Sequence, residues 1–242
     1  MKVVGIIPCS YQSSRFPGKP LTLIGDKPMM WHTYQRALES NVLDQVYIAT
    51  DDDRIAEMAN NFSLNVIMTS SEHKTGTDRV AEASKHILAD YYINIQGDEP
   101  FIDPNSIQLL VKKIINCKDP AIQAVNAYTL IEDNNDVLDI NTVKVIMDVN
   151  NNALAYSRQA IPYPKSDVAR YYKQLGLYAF KLSGLKIFTD NPPASLELIE
   201  GVEMYRLLEH QHRIAMVQTN DSSLSVDTPS DLKRVQKIFY NE

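Results

Sequence analysis

The sequence predicts an α/β protein built on a mostly parallel central sheet with helices on both faces. Two observations carry this. Short apolar runs alternate four times with amphipathic segments between Val3 and Ile95, the signature of strand–helix repeats. The chain, 242 residues at 44% hydrophobic, is also long and apolar enough to bury a full core.

The first strand is Val3-Val4-Gly5-Ile6-Ile7, and it runs into a long polar loop, Pro8 to Leu21, reading PCSYQSSRFPGKPL. That loop holds Arg15, Gly18 and Lys19 between two prolines. A buried strand feeding a basic, glycine-containing turn is a common phosphate site in α/β proteins. Neither G-x-x-x-x-G-K-[ST] nor G-x-G-x-x-G occurs, so the loop's chemistry points to phosphate or nucleotide without naming a motif class. The competing reading, an exposed surface loop, is disfavoured by its length between strand and helix.

Lys27-Pro28-Met29-Met30-Trp31 begins a helix that continues to about Ser40, with proline suited to the first turn. The methionines and Trp31 read as packing residues. Val46 to Thr50 is a strand ending in Asp51-Asp52-Asp53, which we read as a helix cap, not a metal site. Ile55, Met58, Ala59 and Phe62 mark the next helix, Asn65 to Met68 a strand, Thr77 to Leu88 a helix and Tyr91 to Ile95 a fourth strand. That strand ends in Gln96-Gly97-Asp98-Glu99-Pro100. Ligands in parallel sheets bind at the carboxyl ends of the strands, so the first loop and the Asp98 loop are expected to face one cleft.

Beyond about Lys118 the alternation fades. Residues 121–130, 143–149, 153–157, 172–181 and 214–218 read as strands, with Asn150-Asn151-Asn152 a turn. Leu196 to Glu209 reads as one amphipathic helix. Asp227 or Thr228 is expected to cap a final helix to about Tyr240, with Pro229 at its first position. No repeat or linker interrupts the chain, and the second half reads as an insertion and lid on one α/β body.

A net charge of −6 argues against non-specific nucleic-acid binding, and leaves room for a local basic site for an anionic small molecule. Two cysteines, Cys9 and Cys117, make no disulfide framework. We read Cys9 as a small, partly buried side chain. The opening residues lack a signal-peptide profile and no apolar run approaches a bilayer span, so a soluble cytoplasmic protein is expected. His210 and His212, two apart near a helix end, make a poor metal pair. His73 and Lys74 sit in a loop where a ligand phosphate and plain solvent are equal alternatives.

Asp98 and Asp227 remain as the carboxylates at strand or loop ends near the basic loop. Each alone reads as a cap or turn residue; beside a basic loop carrying Arg15 and Lys19, the pair is expected to supply carboxylate oxygens to a Mg²⁺ site that substrate phosphates complete.

The segments PCSYQSSRFPGKPL, VYIATDDDRI, TGTDRVAEA, INIQGDEPFI, AYSRQAIPY, QLGLYAF and SVDTPSDLKRV together resemble the 3-deoxy-manno-octulosonate (KDO) cytidylyltransferase family. They fall in that family's order and span essentially the whole chain. The resemblance implies a Rossmann-like nucleotidyltransferase fold in a single domain, with a strand-rich insertion forming the lid and dimer region. About 1–120 and 213–242 would be the nucleotide-binding body, and about 121–212 the sugar-acid and dimerisation part. The implied reaction is CTP plus the sugar acid giving the CMP-sugar and pyrophosphate, with Mg²⁺, in a homodimer serving lipopolysaccharide or capsule synthesis.

On this chain the resemblance implies that Arg15 and Lys19 grip the triphosphate, and that Asp98 and Asp227 hold the metal. Pro8, Ser10, Ser13, Thr75, Gly76, Thr77, Arg79 and Gln96 would line the nucleotide side. Gln96, Arg158, Gln174, Gly176, Tyr178, Glu200 and Glu203 would face the sugar acid. The anomeric hydroxyl would attack the α-phosphorus in line, with no covalent intermediate and no single residue assigned as base.

The chain departs from the family's pattern in two places. Pro8-Cys9-Ser10-Tyr11 stands where Pro-Ala-Arg-Tyr is usual, replacing a multidentate phosphate donor by serine. Gln174, Leu198 and Met204 stand where His, His and Gln are usual, around the expected sugar pocket. These changes keep two further readings open: CMP activation of a different acid, such as an amino-KDO, another sugar acid or a phosphonate, and a non-catalytic paralogue. Retention of Lys19, Asp98 and Asp227 speaks against the last.

Overall fold

A computed structural model describes residues 1–12, 15–165, 169–221 and 223–240. The chain runs β1 (Val3–Cys9), a 3₁₀ turn (Lys19–Leu21), β2 (Leu23–Ile24), β3 (Lys27–Pro28), α1 (Met29–Glu39), β4 (Gln45–Thr50), α2 (Asp53–Asn61), β5 (Val66–Met68), α3 (Gly76–Ser84), β6 (Tyr91–Ile95) and α4 (Pro104–Asn116). It continues through β7 (Ile122–Leu130), α5 (Asn134–Leu138), β8 (Lys144–Met147), β9 (Ala153–Ser157), β10 (Tyr172–Lys181), α6 (Leu182–Asp190), α7 (Ser195–Glu200), α8 (Tyr205–Glu209), β11 (Arg213–Gln218) and α9 (Pro229–Tyr240).

The main sheet has the order β11-β7-β10-β6-β1-β4-β5, with the β8–β9 hairpin attached at the start of β10. The pairs β1–β4, β1–β6, β4–β5 and β7–β11 are parallel. Only β10 opposes its neighbours β6 and β7. Side chains alternate along β1: Val3 and Ile7 enter one apolar layer, Val4 and Ile6 the other. The first layer is filled from α1, α2 and α4 through Met30, Ile55, Ile107 and Leu110; the second from α3, α6 and α8 through Val80, Phe188 and Leu207. Burial on both faces explains why these strands read as continuous apolar runs.

The second half does more than pack on the sheet from outside. β7, β10 and β11 belong to it, and β10 delivers its beginning to the end where β6 finishes: Leu177 pairs with Ile95, and the Gln96 N–H donates to the Gly176 carbonyl at 3.1 Å. The segment 196–209 is two short helices, not one. Gly201 sits at φ 63°, a left-handed conformation that glycine adopts without a Cβ penalty, and it stops α7. The triple-asparagine turn forms as expected, with Asn151 at φ 59°. Asp52 caps α2 by accepting from the Arg54 N–H. No helix among the described residues is long and apolar enough to cross a membrane.

α9 closes the fold near the phosphate loop. Val235, Val226, Ile24 and Met29 form a small third core, and Phe239 stacks on Phe101 with ring planes 3° apart.

Candidate active site

A cleft of about 700 Å³ opens at the carboxyl ends of β1 and β6. One wall comes from the long first loop, one from the segment after β6, one from the start of β10, and one from α7 and its exit. Gly97 keeps β1 and β6 ends together: a Cβ there would lie 2.9 Å from Cys9 Sγ and 3.0 Å from the Pro8 carbonyl oxygen, too close for any larger residue.

Four charged groups converge at one edge. Lys19 Nζ lies 2.7 Å from Asp98 Oδ2 and 3.5 Å from Asp227 Oδ1, and Arg15 Nη2 lies 2.9 Å from the same Asp227 oxygen. Residues 98 and 227 are held together by main chain as well, since the Val226 N–H donates to the Asp98 carbonyl at 2.8 Å. Asp227 is spared the capping role. Thr228 and Asp231 cap α9 instead, exchanging backbone and side-chain bonds in the manner of a capping box. The Asp98 and Asp227 carboxylates share one cation and are not buried, so their remaining oxygen lone pairs are free for a hard cation such as Mg²⁺, whose preferred donors they are. Among the described residues no cluster of three or more metal-ligating side chains occurs. Arg15 is half exposed, and ion pairs of that kind contribute only ~0.2–1 kcal/mol, so exchanging a carboxylate for a phosphate costs little.

The opposite wall is polar and largely pre-bonded. The Gln174 amide donates to the Tyr178 hydroxyl at 2.9 Å, while its carbonyl oxygen is buried without a partner among the described residues. Burial pushes the Tyr178 phenol well above its ordinary range. The Arg158 guanidinium donates to the Glu200 and Ile140 carbonyls at 2.7 and 3.0 Å. The Glu203 carboxylate accepts from the Thr77 N–H at 3.0 Å and its hydroxyl at 2.8 Å, at the start of α3; burial still raises its pKa against those bonds.

Of the residues singled out from the sequence, Arg15, Thr75, Gly76, Gln96, Asp98, Arg158, Gln174, Gly176, Tyr178, Glu203 and Asp227 line this cleft. Lys19 reaches it through its ion pairs. Pro8 is in β1 and Ser10 directly follows that strand, neither lining the cleft, and Ser13 falls outside the described residues. Thr77 and Arg79 are buried away from it: Thr77 holds Glu203, and the Arg79 guanidinium is 3.0 Å from the Asp51 carboxylate. Glu200 also turns from the cleft, with its carboxylate accepting from the Ser157 hydroxyl and the Arg158 N–H, both at 2.9 Å. Met204 is fully buried in the second apolar layer, so its side chain removes no hydrogen bond from the cleft, whereas Gln174 and Leu198 do face it.

Lys74, for which a ligand phosphate and plain solvent were equal alternatives, lines the cleft, as does Lys173, to which sequence reasoning gave no role. Glu99, passed over inside the Asp98 segment, is buried beneath it: one carboxylate oxygen accepts from the Gly176 N–H at 3.2 Å and the other has no partner among the described residues. Burial lifts its pKa to about 7, against the pull of Lys173. Arg206, equally unforeseen, binds both Asp78 and Glu197 at 2.6 Å and lies over the Phe188 ring, fixing α7 and α8 on the start of α3. Cys9 is buried, and its thiol is pushed up to about 12 by desolvation, which fits the inert role read from the sequence. His73 pairs with Glu82, leaving Lys74 alone at the cleft rim.

The profile of the cytidylyltransferase family matches residues 4–214. The chain belongs to that family. Among curated relatives, this cytidylyltransferase is 47% identical over 240 residues to the 3-deoxy-manno-octulosonate cytidylyltransferase of Lawsonia intracellularis, covering 97% of this chain and 93% of the relative. It is 39% identical to that of Geobacter sulfurreducens, covering 97% and 98%. The solved structure of a CMP:2-keto-3-deoxy-manno-octonic acid synthetase complexed with CTP superimposes with a TM-score of 0.93 at 36% identity, covering 100% of this chain and 99% of that one. A putative glucose-1-phosphate thymidylyltransferase from Bacillus anthracis, 16% identical, shares the fold at a TM-score of 0.70.

Proposed function

We propose that this protein transfers the cytidylyl group of CTP to the anomeric hydroxyl of 3-deoxy-manno-octulosonate and releases pyrophosphate. The observation that carries the reading is the convergence of Asp98, Asp227, Lys19 and Arg15 at one edge of a cleft whose far wall offers Gln174, Tyr178 and Arg158. Its support is the family membership and the identity to relatives that carry this activity in name.

In this reading Arg15 and Lys19 bind the triphosphate and neutralise charge that builds on pyrophosphate as the bond from the α-phosphorus to the bridging oxygen breaks. Asp98 and Asp227 hold Mg²⁺, which when bound supplies Lewis-acid stabilisation of the phosphate oxygens. Gln96 and Gly176, joined by their backbone hydrogen bond, separate the nucleotide side from the acceptor side. Gln174 and Tyr178 orient acceptor hydroxyls, and the orphaned Gln174 oxygen is ready to accept from one of them. The protein is read as a homodimer in the cytoplasm, where CTP is at hand. Leu154 and Ile199, exposed at 59% and 78% on β9 and α7, suit such a contact.

Gln174 and Leu198 favour one alternative, an acid other than KDO, because both stand on the acceptor wall where the family usually has histidine. Pyrophosphate release with Mg²⁺, each of four nucleoside triphosphates, and a panel of KDO, amino-KDO, other sugar acids and phosphonates decides between them. Turnover with CTP and KDO supports the main reading. Turnover with CTP and only another acid replaces the acceptor, and no release with any pair sinks the enzyme reading.

A further inference from the structure

Lys144, the first residue of β8, has a fully buried side chain, and no carboxylate pairs with it among the described residues. Its ammonium is instead held by three main-chain carbonyls: Asp139 at 2.9 Å, Thr142 at 2.6 Å and Arg158 at 2.6 Å. Three acceptors at hydrogen-bond distance call for three N–H donors, which the ammonium has and the neutral amine lacks. The group faces Asp139 and Glu200, which favour the charge, and Arg158, which opposes it; desolvation lowers its pKa overall.

The three carbonyls belong to two pieces of the cleft wall. Residues 139–142 form a turn closed by the Thr142 N–H on the Asp139 carbonyl at 3.1 Å. Within it, Asn141 accepts from Arg15 at 3.4 Å, and the Ile140 carbonyl accepts from Arg158 at 3.0 Å. Asn141, Val143 and Arg158 all line the cleft. Without a cation between them, the Thr142 and Arg158 carbonyls would point at one buried spot with no donor among the described residues, while the Asp139 carbonyl would keep only the Thr142 N–H, a cost that would push the turn and Arg158 apart.

We propose that Lys144 is a positioning residue, an internal monovalent cation that clamps the turn 139–142 onto Arg158 and so fixes the wall between the phosphate and acceptor halves of the cleft. The effect on catalysis rests on the cytidylyl-transfer reading above; the existence of the cation clamp does not.

The test uses the full chain carrying Lys144→Ala, which leaves the carbonyls and a cavity the size of the lost alkyl chain, and Lys144→Met, which keeps the packing without the charge. The expected result is a saturable rise in the melting temperature of Lys144→Ala with propylammonium or butylammonium. Wild type with the same amine and Lys144→Ala with tetramethylammonium or 1-propanol should stay flat. Lys144→Met should lose about ten- to a hundred-fold in kcat/KM for the acid acceptor, chiefly through KM, with the KM for CTP within about three-fold of wild type. Propylammonium, which carries the three carbons and the ammonium that the substitution removes, should restore acceptor turnover to Lys144→Ala. If Lys144→Ala folds only in the amine, that dependence is itself the expected clamp. The absence of any saturable amine effect, including failure to fold at every amine concentration, overturns the proposal, as does a Lys144→Met enzyme with wild-type constants. A wild-type protein that turns over no acceptor would refute the functional reading, and the melting experiment would still judge the clamp.

Discussion

The Val226 N–H donates to the carbonyl oxygen of Asp98 at 2.8 Å, and this one main-chain bond sets Asp227 beside Asp98 across more than half the sequence. Both carboxylates then meet at Lys19. Asp98→Asn and Asp227→Asn should therefore each lower kcat for pyrophosphate release by about 10²–10³-fold or more, with the fold intact by circular dichroism. A near-normal rate in either variant would remove that residue from the reaction.

Arg206 is buried, and it compensates two carboxylates, Asp78 and Glu197. Removing one member of such a cluster strands the others. Arg206→Ala should cost about 3–5 kcal/mol in denaturant unfolding, with Arg206→Lys recovering only part, since a point charge cannot form both pairs in the same geometry. A loss below about 1 kcal/mol would mean that Asp78 and Glu197 are satisfied by other groups.

Glu99 gives a pH signature. Its carboxyl has a folded pKa of about 7 against an ordinary 4.5, so between those values the native chain keeps a proton that the unfolded chain releases. The native state then binds more protons, and stability falls as pH rises through this window. The gap between 4.5 and about 7 corresponds to about 3 kcal/mol, lost in full above the folded pKa. In metal-free buffer, the stability difference between wild type and Glu99→Gln should slope by that amount from pH 4.5 to 7.5. A difference independent of pH would show that Glu99 ionises normally.

Much of this architecture can be read from residues alone. The strand Tyr91–Ile95 and the helix from Pro229 to Tyr240 fall where apolar pattern and proline placement put them. The break at Gly201 was hidden because apolar residues recur at helical spacing on both sides of it. Only the left-handed backbone there reveals two helices. The antiparallel seating of β10 between β6 and β7 is a long-range pairing with no local signal. The convergence of Asp98 with Asp227 follows from that class of contact too, so the residues were visible and their meeting was not. Lys144 and Lys173 lie in strands, where a lysine ordinarily reads as solvent-facing; the burial of one and the cleft position of the other come from the hairpin packing on β10.

Ser10 takes the place of an arginine usual in the resembling family, yet the cleft still holds Arg15, Lys74 and Lys173. Ser10→Arg should tighten CTP binding about ten- to a hundred-fold in calorimetry with Mg²⁺, the value of one charge-assisted hydrogen bond. An unchanged affinity would show that the position does not reach phosphate in this chain.

Product identity tests the central claim most directly. Wild-type protein incubated with CTP, KDO and Mg²⁺ is followed by ³¹P nuclear magnetic resonance and mass spectrometry. The account predicts a CMP–KDO phosphodiester and pyrophosphate appearing in equal amounts. CTP left intact, or CMP and pyrophosphate formed with no sugar attached, would contradict it.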